Sequence, residues 1–365
     1  MNIIEETLIS NLERFNLLDK KLVIGLSGGG DSTSLIIALY ELRKKYSQLN
    51  FEAFHVNYGL RKDSDRDQKF VENICNKMNI NLIKKNLKYQ KLIPDSDSEE
   101  NLRNIRYNLI SSHIIETKSY CLITAHNLND HIETFLMKLT RGAGLKGMEG
   151  LKYFSTIKKF KGLKIFRPFI EIKKKDLFDY CISKKINPIN DTSNSDNKYS
   201  RNRIRNNVIP ELEKLNPDFL NTINRVTHIA SEINSYQNKI IEEKYQKIKL
   251  FENEYEISFD RSKFNLLEDV EKKLIIKTKC ESFSSSIFIE KKHLDIVINK
   301  CLSQSKEFSL DMPGPIIIEA NKDEVIIRFS CWITFYLILH LEEFQELGHA
   351  LTLDSHLLVL NKNLF

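Results

Sequence analysis

The sequence predicts an α/β protein: a Rossmann-like parallel sheet with helices on both faces, then a helical linker region and a small α+β C-terminal domain. Three observations predict this fold. Short apolar runs alternate with helical patterns between residues 5 and 124, which is typical of βαβ units. The first run, Val23–Leu26, leads directly through three glycines into a helical pattern. Between residues 306 and 330 the pattern changes to strands with turn signals at Pro313-Gly314-Pro315.

The individual elements follow from periodicity. Strands are predicted over 23–26, 51–56, 81–83 and 120–124, and helices over 5–18, 34–46, 63–79 and 98–117. A long helical pattern begins after Pro217, and residues 250–300 are expected to be mostly helical. The sequence therefore predicts three domains, over residues 1–215, 216–300 and 301–365.

Composition narrows the class of protein. The chain has 365 residues, of which 41% are hydrophobic and 28% charged, as in a soluble globular protein with a substantial core. The longest apolar run, near Cys331 to Leu341, is about half of a membrane span, so no membrane crossing is expected. Six scattered cysteines without a Cys-x-x-Cys pair argue against zinc ribbons, iron–sulfur sites and a disulfide framework, and they suit a reducing cytoplasm.

The glycine-rich turn carries the strongest chemical signal. It comprises Ser27, Gly28, Gly29, Gly30, Asp31 and Ser32. A strand, a glycine turn and a helix N-terminus aim backbone N–H groups at one anion. The spacing nearly matches a P-loop, but Asp31 occupies the lysine position, where a carboxylate would repel phosphate unless it held a divalent cation. We therefore predict a pyrophosphate loop with Asp31 on Mg²⁺; the alternative is a plain turn without a ligand.

Two further strand ends carry polar residues, and ligands bind at this edge of parallel sheets. His55 and Asn57 follow the second strand, beside the expected place of the nucleotide base and ribose. Asp130 and Glu133 follow the fourth strand and share one helix face, where two carboxylates could hold Mg²⁺ or an ammonium group. The alternative for the acids is helix capping.

Basic residues predict contact with a polyanion. Residues 151–185 contain eleven Lys/Arg against three Asp/Glu, and a solvated lysine-rich face is the alternative. Arg141 and Lys146 lie in a glycine-containing loop that could close over phosphate or RNA. Arg201 and Arg205 follow further along the chain.

These motifs together resemble the tRNA(Ile)-lysidine synthetase family, within the N-type ATP pyrophosphatases. The matching segments are Ser27–Ser32, His55–Arg61, Glu100–Tyr107, Thr124–Leu145, Arg167–Pro168, Asp191–Asn194 and Arg201–Pro210. The resemblance implies a cytoplasmic enzyme in which ATP adenylates the C2 oxygen of the wobble cytidine of CAU-anticodon tRNA(Ile). The side-chain amine of free L-lysine then displaces AMP to form lysidine. A homodimer is left open.

The resemblance also implies roles for individual residues. ATP would be bound by Ser27, Gly28, Gly29, Gly30, Asp31, Ser32, His55 and Asn57, with Mg²⁺ on Asp31. The catalytic residues would be Asp31, Arg141 and Arg201. Lysine would be bound by Asp130, Glu133 and Arg201. The tRNA would be bound by Arg61, Lys146, Lys173, Lys174, Lys175 and Arg205.

The chain departs from the family pattern Ala-His-His-x-Asp-Asp-Gln-x-Glu-Thr at Asn127, Asn129 and His131. After about Phe329 no family pattern is recognised. Two other readings stay open. One is a tRNA thiolase of the same superfamily, which would use cysteines near the site. The other is a nucleotide-binding module that senses ATP or AMP without catalysis.

Overall fold

The computed structural model describes residues 2–60, 63–87, 99–189, 200–283, 287, 289–303 and 307–329. It divides into two compact units: the first spans Met1–Ser235 and the second begins at Tyr236. Each unit has its own sheet, one of six strands and one of five. The division into three domains stays a prediction.

The first unit contains six strands and nine α-helices within the described ranges. The strands are β1 (Lys21–Gly25), β2 (Asn50–Asn57), β3 (Leu82–Asn86), β4 (Cys121–Ile123), β5 (Phe154–Ile157) and β6 (Leu163–Phe166). The helices are α1 (Ile3–Arg14), α2 (Gly30–Arg43), α3 (Ser64–Lys77), α4 (Glu99–Glu116), α5 (Leu128–Thr140), α6 (Lys174–Ser183), α7 (Ser200–Arg203), α8 (Ile209–Leu215) and α9 (Phe219–Ile248), the last continuing into the second unit. A π-helical turn, Ile204–Val208, joins α7 to α8. The sequence predicted β1 to β4 but missed β5 and β6, which lie inside the basic stretch.

The sheet of the first unit has the order β3-β2-β1-β4-β6-β5, and only the β5–β6 pair is antiparallel. Leu22 and Ile24 of β1 belong to the apolar cluster shared with α1, α2 and α6, whereas Val23 packs with Tyr107 and Ile110 of α4. Because side chains alternate along a strand, β1 is buried on both faces of the sheet. The predicted Rossmann-like sheet is confirmed. Strand order reverses between β1 and β4, which leaves a crevice at their carboxyl ends.

The second unit is an antiparallel sheet with short helices. Its strands are β7 (Lys249–Glu252), β8 (Glu256–Asp260), β9 (Phe308–Met312), β10 (Ile316–Ala320) and β11 (Glu324–Phe329), in the order β7-β8-β11-β10-β9. Its own helices are α10 (Arg261–Asn265), α11 (Asp269–Phe283) and α12 (Lys291–Leu302). Buried Arg261 donates to the carbonyls of Cys301 and Asn321, so it holds the end of α12 against the β10–β11 turn. The predicted α+β domain is confirmed.

The expectation of a mostly helical segment from residue 250 is wrong for β7 and β8. Ile257 and Phe259 are buried, and they alternate with Glu256 and Ser258 along a strand that pairs with β11. Asn253 accepts hydrogen bonds from the N–H groups that follow it and closes the hairpin. Within the described ranges, no helix combines the length and apolar character needed to cross a bilayer.

Candidate active site

The glycine loop lies at the crevice between β1 and β4. Gly28 has φ of +91°, and a Cβ there would lie 2.6 Å from Ile189 Cδ1, so both backbone and space require glycine. Gly29 is the N-cap of α2, and no side chain caps this helix. The first N–H groups of α2 are therefore left for an anion.

Ser32 shows how the loop gathers its donors. Its Oγ accepts from the backbone N–H groups of Ser27 and Gly28, each at 3.2 Å, and lies 3.0 Å from Ser27 Oγ. The hydroxyl in turn donates to the Gly29 carbonyl at 3.2 Å. Convergence of several donors on one oxygen atom is the arrangement by which a loop holds a phosphate oxygen.

Asp31 lies in the first turn of α2 and lines a cavity of about 470 Å³. Burial raises the pKa of this carboxyl to about 6, and the Lys174 ammonium opposes that rise. Asp130 lines the same cavity, and its negative charge raises the Asp31 pKa further. A single desolvated carboxylate beside a phosphate loop fits Mg²⁺, which proteins hold through one or two carboxylates plus substrate phosphates.

Two acids and two arginines form a compact ion-pair cluster. Arg201 Nε donates to Glu133 Oε2 at 2.7 Å, and its Nη2 donates to Asp130 Oδ1 at 3.0 Å. Arg205 Nε donates to Glu133 Oε1 at 2.6 Å, and its Nη2 lies 3.4 Å from Asp130 Oδ1. The Glu133 side chain is wholly buried, whereas the Asp130 side chain keeps 16% exposure. Arg201 lies on α7 and Arg205 on the π-helical turn that follows it, so two adjacent elements place the guanidinium groups on the two acids.

The sequence predicted that Asp130, Glu133 and Arg201 belong to one site, and the structure brings these residues together. The sequence did not foresee that the acids and arginines pair with one another. Asp130 also forms a capping box at the start of α5: it accepts from the Asn127 N–H at 3.2 Å and donates its own N–H to Asn127 Oδ1 at 3.1 Å. Capping, the alternative considered from sequence, therefore coexists with the ion pairs.

His55 and Asn57, at the end of β2, both line the cavity. The His55 Nδ1–H donates to the Leu26 carbonyl at 2.8 Å, and burial lowers the pKa of His55. The Asn57 amide donates to Asp65 and Gln68 on α3. Its carbonyl accepts from the Gly59 N–H at 2.9 Å, so Asn57 shapes the loop after β2.

Sequence reasoning undervalued part of the cavity wall. Arg106 lies in the matching segment Glu100–Tyr107 and received no role from the sequence, yet it lines the cavity together with Tyr107. The guanidiniums of Arg103 and Arg106 lie 5.2 and 5.6 Å from the Tyr107 ring centre. The i, i+3 spacing of the arginines was the available signal. Asp67 on α3 also lines the cavity, and no sequence pattern indicated it.

The remaining predicted residues are not among those that line the cavity. Lys173 and Lys174 are half-buried, whereas Lys175, Arg141 and Lys146 are exposed. Arg141 follows the last turn of α5, about 16 Å along the helix from Asp130. Arg61 and Asp191–Asn194 lie outside the described residues. The proposed roles of these residues stay predictions.

The three departures from the family pattern each have a local structural role. Asn127 caps α5, and Asn129 Oδ1 accepts from the Lys174 backbone N–H at 3.0 Å, which ties α5 to the start of α6. His131 accepts from the Leu151 N–H at 3.0 Å and donates through Nε2–H to Thr227 at 2.9 Å. Burial lowers the pKa of His131 to about 4, so the ring is neutral at neutral pH.

A parallel sheet with a phosphate-binding loop and a buried carboxylate at its switch point defines a nucleotide-binding α/β protein. A family model described as a PP-loop domain matches residues 4–212, and the chain belongs to that family, which implies the use of ATP. The U34-tRNA thiolase NcsA from Methanococcus maripaludis has the same fold, with a TM-score of 0.52 and 19% identity over 63% of this chain and 78% of its own.

Curated relatives indicate a more specific class of enzyme than the family model does. The chain is 26% identical over 329 residues to a tRNA(Ile)-lysidine synthase of Clostridioides difficile, covering 88% of this chain and 70% of that protein. It is 36% identical over 239 residues to one of Buchnera aphidicola from Acyrthosiphon pisum, covering 66% of this chain and 52% of that protein. The resemblance inferred from the sequence is confirmed, and the chain spans between about half and 70% of the length of these relatives.

Proposed function

We propose that this chain joins free L-lysine to C2 of the wobble cytidine of CAU-anticodon tRNA(Ile), consuming ATP and releasing AMP and pyrophosphate. The observation that carries this proposal is that one cavity is lined by the pyrophosphate loop, by Asp130 and by Arg201. A site for phosphates and a site for a cationic amine are thereby adjacent. The names of the curated relatives support tRNA(Ile) as the RNA substrate.

The first step is adenylation. The C2 oxygen of cytidine attacks the α-phosphorus of ATP, a P–O bond forms, and pyrophosphate leaves with the electron pair of the broken bond. Ser27, Ser32 and the N–H groups of the glycine loop hold the departing pyrophosphate. Asp31 would hold Mg²⁺, which when bound offsets the negative charge of the phosphates.

The second step uses the ion-pair cluster. The bound lysine ammonium first gives one proton to water, and the neutral ε-amine then attacks C2. AMP leaves with the electron pair of the C–O bond, and the new C2–N group loses its second proton to water. The two carboxylates and two guanidiniums balance in charge, so an arriving lysine ammonium competes with Arg201 for Asp130. Arg201 then turns to a phosphate or to the lysine carboxylate. Buried Glu133 is a positioning residue that holds both arginines.

The tRNA is held by basic side chains around this cavity, and most of the rate comes from positioning two substrates rather than from a protein nucleophile. Lys175 and Lys146 are exposed, which supports their contact with phosphates of the RNA backbone. Such an enzyme works in the cytoplasm, where tRNA matures, and a homodimer remains a prediction for light scattering to test.

The experiment is transfer of labelled lysine to RNA in the presence of ATP and Mg²⁺. Transcripts of tRNA(Ile) with a CAU anticodon and of elongator methionine tRNA are compared. We expect label only in the first. Pyrophosphate release stimulated by tRNA without lysine incorporation would replace lysine by another nucleophile, as in a thiolase. The absence of both lysine incorporation and pyrophosphate release would indicate a nucleotide-sensing module.

A further inference from the structure

Two buried acceptor atoms in the cavity have no hydrogen-bond partner among the described residues. They are His55 Nε2 and Asp67 Oδ1. His55 is 5% exposed, and both residues line the cavity that contains the pyrophosphate loop. A buried polar atom without a partner costs free energy, so its presence in a binding cavity indicates a ligand group that satisfies it.

The protein fixes which nitrogen of His55 is the acceptor. The Leu26 carbonyl can only accept, so the 2.8 Å contact requires the proton to be on Nδ1. Burial keeps the ring neutral by lowering its pKa. Nε2 therefore presents a lone pair and needs a donor from the ligand.

Asp67 adds a second acceptor of the same kind. Arg66 Nε lies 3.7 Å from Asp67 Oδ1, too far for a hydrogen bond. Asn57, two residues after His55 on β2, donates to Asp65 and Gln68, which flank Asp67 on α3, so this turn of α3 packs against the end of β2. A ligand group facing both must carry hydrogen-bond donors.

The positions of His55 and Asp67 in the cavity indicate which end of a nucleotide they contact. His55 and Asp67 belong to β2 and α3, whereas the phosphate donors belong to the β1–α2 turn. Apolar side chains of Phe54, Ile110 and Leu122 line the cavity as well, and they suit the flat faces of a base. In ATP the base donates through the exocyclic amino group at C6.

We propose that His55 Nε2 and Asp67 Oδ1 accept hydrogen bonds from the 6-amino group of adenine and make the site selective for adenine over 6-oxopurines. Guanine and hypoxanthine carry a carbonyl at C6. Its oxygen is an acceptor and would repel the two protein acceptors, His55 Nε2 and Asp67 Oδ1. This inference rests on the proposed use of ATP as substrate, and it adds the residues that choose the base.

The test is nucleotide binding by the full chain with Mg²⁺, measured calorimetrically without tRNA or lysine. The ligands are ATP, purine riboside triphosphate, which has hydrogen at C6, and inosine triphosphate, which has oxygen there. We expect ATP to bind at least about tenfold more tightly than purine riboside triphosphate, and inosine triphosphate to bind weakest. In His55→Phe, the preference for ATP over purine riboside triphosphate should fall to within about threefold.

The matched control is His113→Phe. His113 also uses a ring nitrogen within the first unit, 2.8 Å from Glu52, but it lies outside the cavity lining. This variant should keep the wild-type order of the three ligands. Equal binding of ATP and purine riboside triphosphate by the wild type would overturn the proposal even if His55→Phe does not fold. Equal weakening of all three ligands in a folded His55→Phe would also overturn it. Adenine selectivity without lysine transfer would support this inference and remove the proposed reaction.

Discussion

Arg201 Nε and Glu133 Oε2 are joined by a hydrogen bond of 2.7 Å, although 68 positions separate these residues along the chain. Glu133 belongs to the helix that leaves β4, and Arg201 to the short helix α7. The pair therefore fixes α7 and the π-helical turn to the edge of the sheet. The acidic side of the cavity depends on this long-range contact as well as on the strand ends.

Replacing Glu133 should destabilise the first unit. In Glu133→Gln, two guanidinium groups lose a fully buried partner, and we expect the free energy of unfolding to fall by about 3 kcal/mol. The control is Glu211→Gln, because Glu211 and its partner Lys214 are 68% and 70% exposed. That change should stay within about 0.5 kcal/mol. Equal effects in denaturant unfolding would show that the buried cluster does not stabilise the fold.

Asp130 should govern lysine use. Because Asp130 keeps partial exposure on the cavity, Asp130→Asn removes the charge that receives the lysine ammonium. We expect the KM for lysine to rise by at least about tenfold and the KM for ATP to change much less. Steady-state lysine transfer measures both constants. If both shift equally, Asp130 does not bind lysine; Asp218→Asn, an exposed acid, serves as the control.

The Asp31 carboxylate should lower the stability of the ligand-free fold while being required for adenylation. Its pKa of about 6, against an ordinary 3.8, means that the folded protein holds a proton that the unfolded chain releases between these values. The stability of the ligand-free protein should therefore fall as pH rises from about 4 to about 6 and then level off. Asp31→Asn lacks this loss, so at pH 8 it should be more stable by up to about 3 kcal/mol, while adenylation is abolished. Thermal unfolding across pH measures the difference, and a gain independent of pH would contradict the account.

Lys174 and Lys175 should have different roles, in ATP binding and in tRNA binding respectively. Lys174 is half-buried and its charge acts on Asp31, whereas Lys175 is exposed. Lys174→Ala should raise the KM for ATP by about tenfold, because it removes a cation beside the phosphate site. Lys175→Ala should leave that KM unchanged and lower the salt dependence of tRNA binding by about one charge. Identical effects on ATP and on tRNA would mean that the stretch acts only as a diffuse basic surface.

Physical reasons explain which strands and site residues could be predicted from the sequence and which could not. The signals for strands β1 to β4 and for the glycine loop lie within those segments. Short apolar runs indicate the strands and Gly28 indicates the loop, without any information from distant residues. Hairpin β7–β8 was missed because pairing with β11, more than sixty residues away, stabilises a segment of mixed polarity. Asp67 was missed for a similar reason, since only the packing of α3 on β2 brings it to the cavity wall. Paired side chains from distant segments leave no periodic signal.

The central claim is that one cavity first adenylates the RNA and then admits lysine, and a two-stage labelling experiment tests it most directly. ATP labelled in the α-phosphate is incubated with the protein, Mg²⁺ and CAU-anticodon tRNA(Ile) without lysine, and the RNA is analysed for bound label. Lysine is then added. We predict that label appears on the RNA and leaves as AMP after lysine is added. In Asp130→Asn the label should form and persist, and in Asp31→Ala it should not form. Lysine incorporation without RNA-bound label, or label that lysine does not release from the wild-type reaction, would contradict the account.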